Sequence, residues 1–364
     1  MAALLLITIL VVLIVVHELG HFVAAKLLRV RVEEFGVGYP PRAITFGTWG
    51  GTEYTLNWLP FGGCVRLLEE DGPEDGVQRR RAGSFSSASR SRQSLILLAG
   101  VIANALFGWA LFSAGFMIGM PAIVEDGTPG AQLIVSTVVP SSPAFESGLR
   151  SGDSITSIIE EGKTGIAELT PSAVSEFVSM RGGRDLLLTY ERSGVSNTIT
   201  IIPAHAIIPD KPSQAALGVG LALISERKLP MMEALGEAAR QSVAALQTVL
   251  YGLGSLAYHA LLGDANIRTL MGPVGLSGAV GDAASHGLGQ LFGLAALISF
   301  NLVVINLLPI PALDGGRLVF VAIEAVRRKR MSYTVARLCN IAGFALIILL
   351  MLIVTYNDIG RLLR

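Results

Sequence analysis

Four stretches of this sequence are too long and too apolar to be ordinary soluble segments. Residues 93–124, 287–313 and 338–357 contain no charged side chain. Between Ala2 and Ala25 the only ionisable residues are His17, Glu18 and His21. A helix needs about 20 apolar residues to cross the hydrocarbon core of a bilayer. The chain therefore reads as an α-helical, polytopic membrane protein with about four transmembrane helices. Composition agrees: only 15% of the residues are charged, where soluble domains carry roughly a quarter. The formal net charge is zero, which points away from nucleic acid as a partner. Cys64 and Cys339 are far apart and form no CxxC pattern, so they read as unpaired thiols. The first stretch lacks a basic start and a small-residue cleavage site, and reads as a retained span.

Lysine and arginine near the span ends set the expected orientation. Lys26, Arg29, Arg31 and Arg42 follow the first span. Arg79, Arg80, Arg81, Arg90 and Arg92 precede the second, and Arg327, Arg328, Lys329 and Arg330 separate the third from the fourth. All three clusters face the cytoplasm if both termini face outward, which leaves the region between spans two and three outside. Residues 30–70 mix β-branched, aromatic and polar residues between Gly and Pro, and read as short strands and hairpins. Residues 71–92 read as a charged cytoplasmic loop. Residues 121–208 alternate strand-like and helix-like segments and resemble a PDZ domain, above all in "SPAFESGLRSGDSI". Residues 230–262 read as an amphipathic helix lying along the outer membrane surface.

The expected division follows. Residues 1–29 hold the first membrane helix, 30–70 a membrane-associated β region, and 71–92 the cytoplasmic loop. Residues 93–120 form the second membrane helix and 121–208 an inserted α+β PDZ-like domain. Residues 209–286 supply a connecting strand and the amphipathic helix. Residues 287–325 hold the third membrane helix and its motif, and 326–364 a basic loop and the fourth helix.

The chemistry sits in "HELGH". His17 and His21 are four residues apart, so on a helix they lie one turn apart in height and about 40° apart in rotation. Both imidazoles can grip one metal ion, and Glu18 is placed to take a proton from water on it. This is the HExxH pattern of zinc peptidases. Ionisable groups at membrane depth are costly, which makes a chance occurrence a poor explanation. Catalytic zinc usually has three protein ligands and an open position. The third is expected from "NLLPIPALDGGRL", where Pro309 and Pro311 interrupt a helix at membrane depth and Asp314 follows.

With HELGH, NLLPIPALDGG and the PDZ-like insert together, the chain resembles the site-2 protease family of intramembrane zinc metalloproteases, over nearly all of its length. "GVIAN" (Gly100 to Asn104), "GTEY…PFGGCVRL" and "MGPVGLSG" are similar to further elements of that family. The resemblance implies Zn2+ held by His17, His21 and Asp314, with Glu18 as catalytic base and acid. It also implies substrate-backbone or oxyanion contact by Asn306, with Asn104 lining the site. The implied substrates are single-span membrane proteins such as anti-sigma factors, and remnant signal peptides. The implied location is the bacterial inner membrane, with the insert extracytoplasmic and the active site toward the cytoplasm. Best-known relatives carry two PDZ domains, and this chain shows one. Two other classes fit an intramembrane metal site: a transporter and an inactive PDZ-bearing scaffold. The intact Glu18 and the absence of an internal repeat speak against them.

Overall fold

The computed structural model describes residues 1–68, 83–160, 165–166, 168–192, 194–205, 207, 213–263, 271–329 and 331–362. Arg79, Arg80, Arg81 and Arg330 lie outside these residues, as does much of the expected 71–92 loop. Among the described residues, four helices are long and apolar enough to cross a membrane: Ala2–Leu27, Arg90–Ile118, Leu288–Leu307 and Thr334–Gly360.

The first of them, α1 (Ala2–Leu27), buries Leu6, Leu13, His17, His21 and Ala25. These positions recur at intervals of four or seven, so they form one stripe. Of its Leu, Ile and Val only Leu6 and Leu13 are buried. The two histidines thus occupy the protein-facing stripe, as polar groups at membrane depth must.

After α1, β1 (Val32–Trp49) and β2 (Thr52–Leu67) form a two-stranded antiparallel sheet turned at Gly50–Gly51. Val32 lies opposite Leu67 and Trp49 opposite Thr52, with repeated register shifts between. Residues 34–37 face residues 63–66 on one side and residues 53–56 on the other, and residues 44–49 pair with residues 52–56, so the two long strands double back as several short paired segments, as the sequence reads. The hairpin base is fixed by a cluster of Val32, Leu67, Ala25, Phe85, Ile96, Leu97 and Val321.

The second span, α2 (Arg90–Ile118), packs against α1. It stops at Ile118, short of the expected boundary, because Gly119 adopts φ +120° and Met120 begins a strand. Residues Gly119–Lys228 form a compact unit of their own. Its elements are β3 (Met120–Ile123), β4 (Gln132–Val138), α3 (Pro143–Glu146), β5 (Ser154–Glu160), α4 (Pro171–Ser179), β6 (Leu186–Arg192), β7 (Val195–Ile201) and β8 (Val219–Arg227). The six strands lie in the order β3-β8-β4-β5-β6-β7. Leu133, Val135, Ile155, Ile158, Val174, Val178, Leu186 and Leu188 make its core. Thr170 caps α4 by accepting from Ala173 N, with Pro171 in the first turn. Asp153 is buried and accepts from Arg150 N at 2.7 Å and Arg192 Nε at 2.6 Å. Burial pushes its carboxyl up, but Arg192 and the Arg150 N–H outweigh that and hold it below the ordinary value. The insert extends to Lys228, beyond the expected end at 208, because β8 pairs with β3 on one side and β4 on the other. A strand placed in the middle of the sheet by long-range pairing has no local signature of membership.

The chain then continues through α5 (Met231–Leu262), α6 (Pro273–Ser285), α7 (Leu288–Leu307), α8 (Asp314–Arg327) and α9 (Tyr333–Leu362). Helix α2 also packs against α5, α7 and α8. Trp109 Nε1 donates to Leu235 O at 3.1 Å, tying α2 to α5. Leu6, Leu13, Val280 and Ile298 join α1, α6 and α7.

Candidate active site

Two separate pieces of backbone bring the site together. Helix α1 supplies the buried stripe with His17 and His21. The other piece is the break between α7 and α8. Helix α7 ends at Leu307, before Pro309, as proline in its interior would require. Residues 308–313 fold back tightly: Ile310 N donates to Leu308 O at 2.7 Å and Leu313 N to Ile310 O at 3.1 Å. Helix α8 then starts at Asp314. Gly315 follows because a side chain there would overlap the carbonyl oxygens of Leu307 and Leu308. The tight return aims Asp314 at the histidines.

Asp314 Oδ2 lies 2.9 Å from His17 Nε2 and 3.3 Å from His21 Nε2. The two Nε2 atoms are 3.1 Å apart, and the rings meet edge to face at 86°. Three ligands on a tetrahedral ion with bonds of about 2.0–2.1 Å stand roughly 3.3 Å from one another. The observed triangle therefore fits zinc. The donor chemistry fits as well. Asp314 Oδ2 is a buried oxygen with no hydrogen-bond partner among the described residues, as expected of an atom shaped to meet a cation. His21 Nδ1 lies 2.8 Å from Ile96 O. A carbonyl only accepts, so in the neutral ring Nδ1 carries the proton and the Nε2 lone pair is left for a metal.

Glu18, half-buried, follows His17 on α1. Strand β2 runs directly over it: a side chain at Gly63 would overlap Glu18 Cγ. Helix α2 comes equally close on another side. A Cβ at Gly100 would overlap His21 Nε2 and lie 2.6 Å from His21 Cε1 and 2.8 Å from His17 Cε1. Asn104, one turn further along α2, is fully buried with Nδ2 3.5 Å from His17 Nδ1.

A family model described as peptidase family M50 matches residues 5–350. The chain belongs to peptidase family M50, the site-2 protease family. Among its relatives is a Clostridium perfringens protein provisionally named a zinc metalloprotease, 32% identical over 354 residues (95% of either chain). A Clostridium acetobutylicum protein with the same provisional name is 30% identical, over 96% of this chain and 94% of its own length. The zinc metalloprotease RasP of Geobacillus kaustophilus is 26% identical, over 96% of this chain and 95% of its own. As a site-2 family member the protein is a zinc metalloprotease, and zinc is its cofactor.

Within this M50 member the structure brings His17, His21 and Asp314 together and sets Asn104 behind His17. Asn306 lies half-buried in the last turn of α7. His205, His259 and His286 lie outside the ligand cluster. Three site features escaped the sequence reading: the Ile96 carbonyl, the fit of Gly63 over Glu18, and Ser299, whose Oγ donates to Asn104 O at 2.8 Å. The first and third rest on main-chain acceptors, Ile96 O and Asn104 O, which no residue type announces. Gly63 left a signal in the doubled glycine of "PFGGC", which is where a backbone can approach a side chain most closely.

Proposed function

We propose that this zinc metalloprotease cuts the transmembrane segments of single-span membrane proteins within the bilayer. The observation that carries the reading is the origin of the ligands. Two stand on a helix long and apolar enough to cross a membrane, and the third follows another such helix across the tight return of residues 308–313. His17, His21 and Asp314 would hold zinc, which when bound would supply Lewis-acid polarisation and acidify water. Glu18 accepts a proton from the attacking water and returns it to the leaving amide nitrogen. Asn306 contacts the substrate backbone or the developing oxyanion. A helical substrate hides its carbonyls in hydrogen bonds, so it must unwind before cleavage. In the β1–β2 sheet residues 44–49 and 63–66 pair on one side only among the described residues, so an extended substrate can add to an unpaired edge.

The substrates are membrane-held regulators of the anti-sigma-factor type, already trimmed outside, and remnant signal peptides. The insert is a PDZ-like gate that excludes untrimmed substrates or holds new C-termini. Full-length protein in detergent or vesicles is expected to hold one zinc and to cut a single-span model substrate inside its apolar segment. Asp314→Ala is expected to lose both the metal and the cut. Full zinc retention by Asp314→Ala would remove Asp314 from the ligand set. Cleavage confined to soluble segments would overturn the intramembrane reading.

The protein lies in the bacterial inner membrane with the insert extracytoplasmic and residues 71–92 cytoplasmic, a reading supported by the basic clusters at the span ends. In a background lacking Cys64 and Cys339, an impermeant thiol reagent added outside intact cells should label a cysteine at Ser151 and spare one at Ser86. The reverse pattern inverts the orientation.

A further inference from the structure

We infer that Asn104 is a positioning residue that sets the tautomer of His17, its carboxamide oxygen accepting the His17 Nδ1 proton so that the Nε2 lone pair is left for zinc. The inference rests on the zinc reading of His17, His21 and Asp314. Ile96, Gly100 and Asn104 are spaced by four along α2 and form one stripe. The stripe lies against the two histidine rings. Its first member already performs this task for the other ligand, since Ile96 O holds the His21 Nδ1 proton. Its second member, Gly100, leaves room for the rings. Its third stands in the equivalent place beside His17, 3.5 Å from Nδ1.

The polar bookkeeping of Asn104 supports the assignment. The residue is fully buried, yet Oδ1 has no hydrogen-bond partner among the described residues. The two ends of a carboxamide exchange by a half-turn about its last bond. With Nδ2 toward His17, and His17 Nε2 given to zinc, two N–H donors face each other and Oδ1 stays stranded. With Oδ1 toward His17, a proton meets an acceptor and the stranded oxygen is satisfied. A purely structural role for the carboxamide is poorly supported, because the link from this turn to α7 uses the main chain: Ser299 Oγ donates to Asn104 O. A group behind a histidine ligand that fixes its ring and tautomer typically changes metal affinity about 10- to 100-fold.

The test uses full-length protein and two readouts other than activity. Zinc affinity is measured by chelator competition, and histidine tautomers by imidazole nitrogen resonances of the metal-free protein, which has five histidines. Asn104→Ala should weaken zinc about 10- to 100-fold and convert His17 from a single Nδ1–H form to a mixture. Asn104→Asp keeps an acceptor and should hold zinc at least as tightly as the parent. Wild-type zinc affinity and an unchanged His17 tautomer in Asn104→Ala, with only turnover reduced, would overturn the inference and return Asn104 to lining the substrate path. If Asn104→Ala does not fold, Asn104→Asp decides, and a 10-fold or greater loss of zinc there is the overturning result. Failure of the parent protein itself to bind zinc would instead sink the ligand assignment.

Discussion

Glu18→Gln is expected to keep its zinc and lose roughly 10²- to 10⁴-fold in cleavage rate, the usual contribution of general acid–base catalysis. The substitution is nearly isosteric, which matters because β2 leaves no spare room over this side chain: Gly63 is placed against Glu18 Cγ. The proposed ligand atoms are His17 Nε2, His21 Nε2 and Asp314 Oδ2, so none of them is altered. What is lost is the group that accepts a proton from water and gives it to the leaving amine. Zinc content and single-turnover cleavage of a membrane-embedded substrate, measured on the same preparation, separate the two roles. A Glu18→Gln protein without metal would make Glu18 part of the metal site. One that still cuts at the parent rate would require another base.

Gly100→Ala should remove the metal site although it replaces a poor helix former by a good one. In an unhindered helix interior this change stabilises by roughly 0.5–1 kcal/mol. At Gly100 the added methyl would overlap His21 Nε2 and crowd His17 Cε1 at 2.8 Å. The His21 ring cannot swing away without giving up its bond to Ile96 O, at 2.8 Å. The expected result is a loss of zinc affinity of at least about 100-fold, beyond the 10- to 100-fold that altered supporting groups cost, together with the thermal stabilisation that bound zinc confers by mass action. Gly236→Ala is the control, since a Cβ at that position on α5 meets nothing within 4 Å. Chelator competition and melting curves with and without zinc give the answer. Parent-like zinc binding in Gly100→Ala would mean that α2 yields at this point, and that the close fit is not required.

The membrane helices were legible because their signal is local: an apolar run of the right length needs no partner to be recognised. They departed from expectation at their ends: Gly119 sets the end of the second and the prolines after Leu307 the end of the third. The insert was less legible, because β8 enters its sheet through pairing with strands about a hundred residues earlier.

The candidate site divides along the same line. By itself the sequence determined that His17 and His21 share one face, since a spacing of four on a helix admits no other arrangement. It also determined that Glu18 is their neighbour and that a proline-broken segment ending in Asp314 is the third arm. Only the tertiary structure decided that Asp314 Oδ2 reaches within 2.9 Å of His17 and 3.3 Å of His21, and that Gly63 closes over Glu18. It alone decided that the Ile96–Gly100–Asn104 stripe of α2 backs both rings. The physical reason is that helix periodicity places residues relative to their own axis. Which face of a second helix meets them depends on the packing of α1, α2, α7 and α8 together.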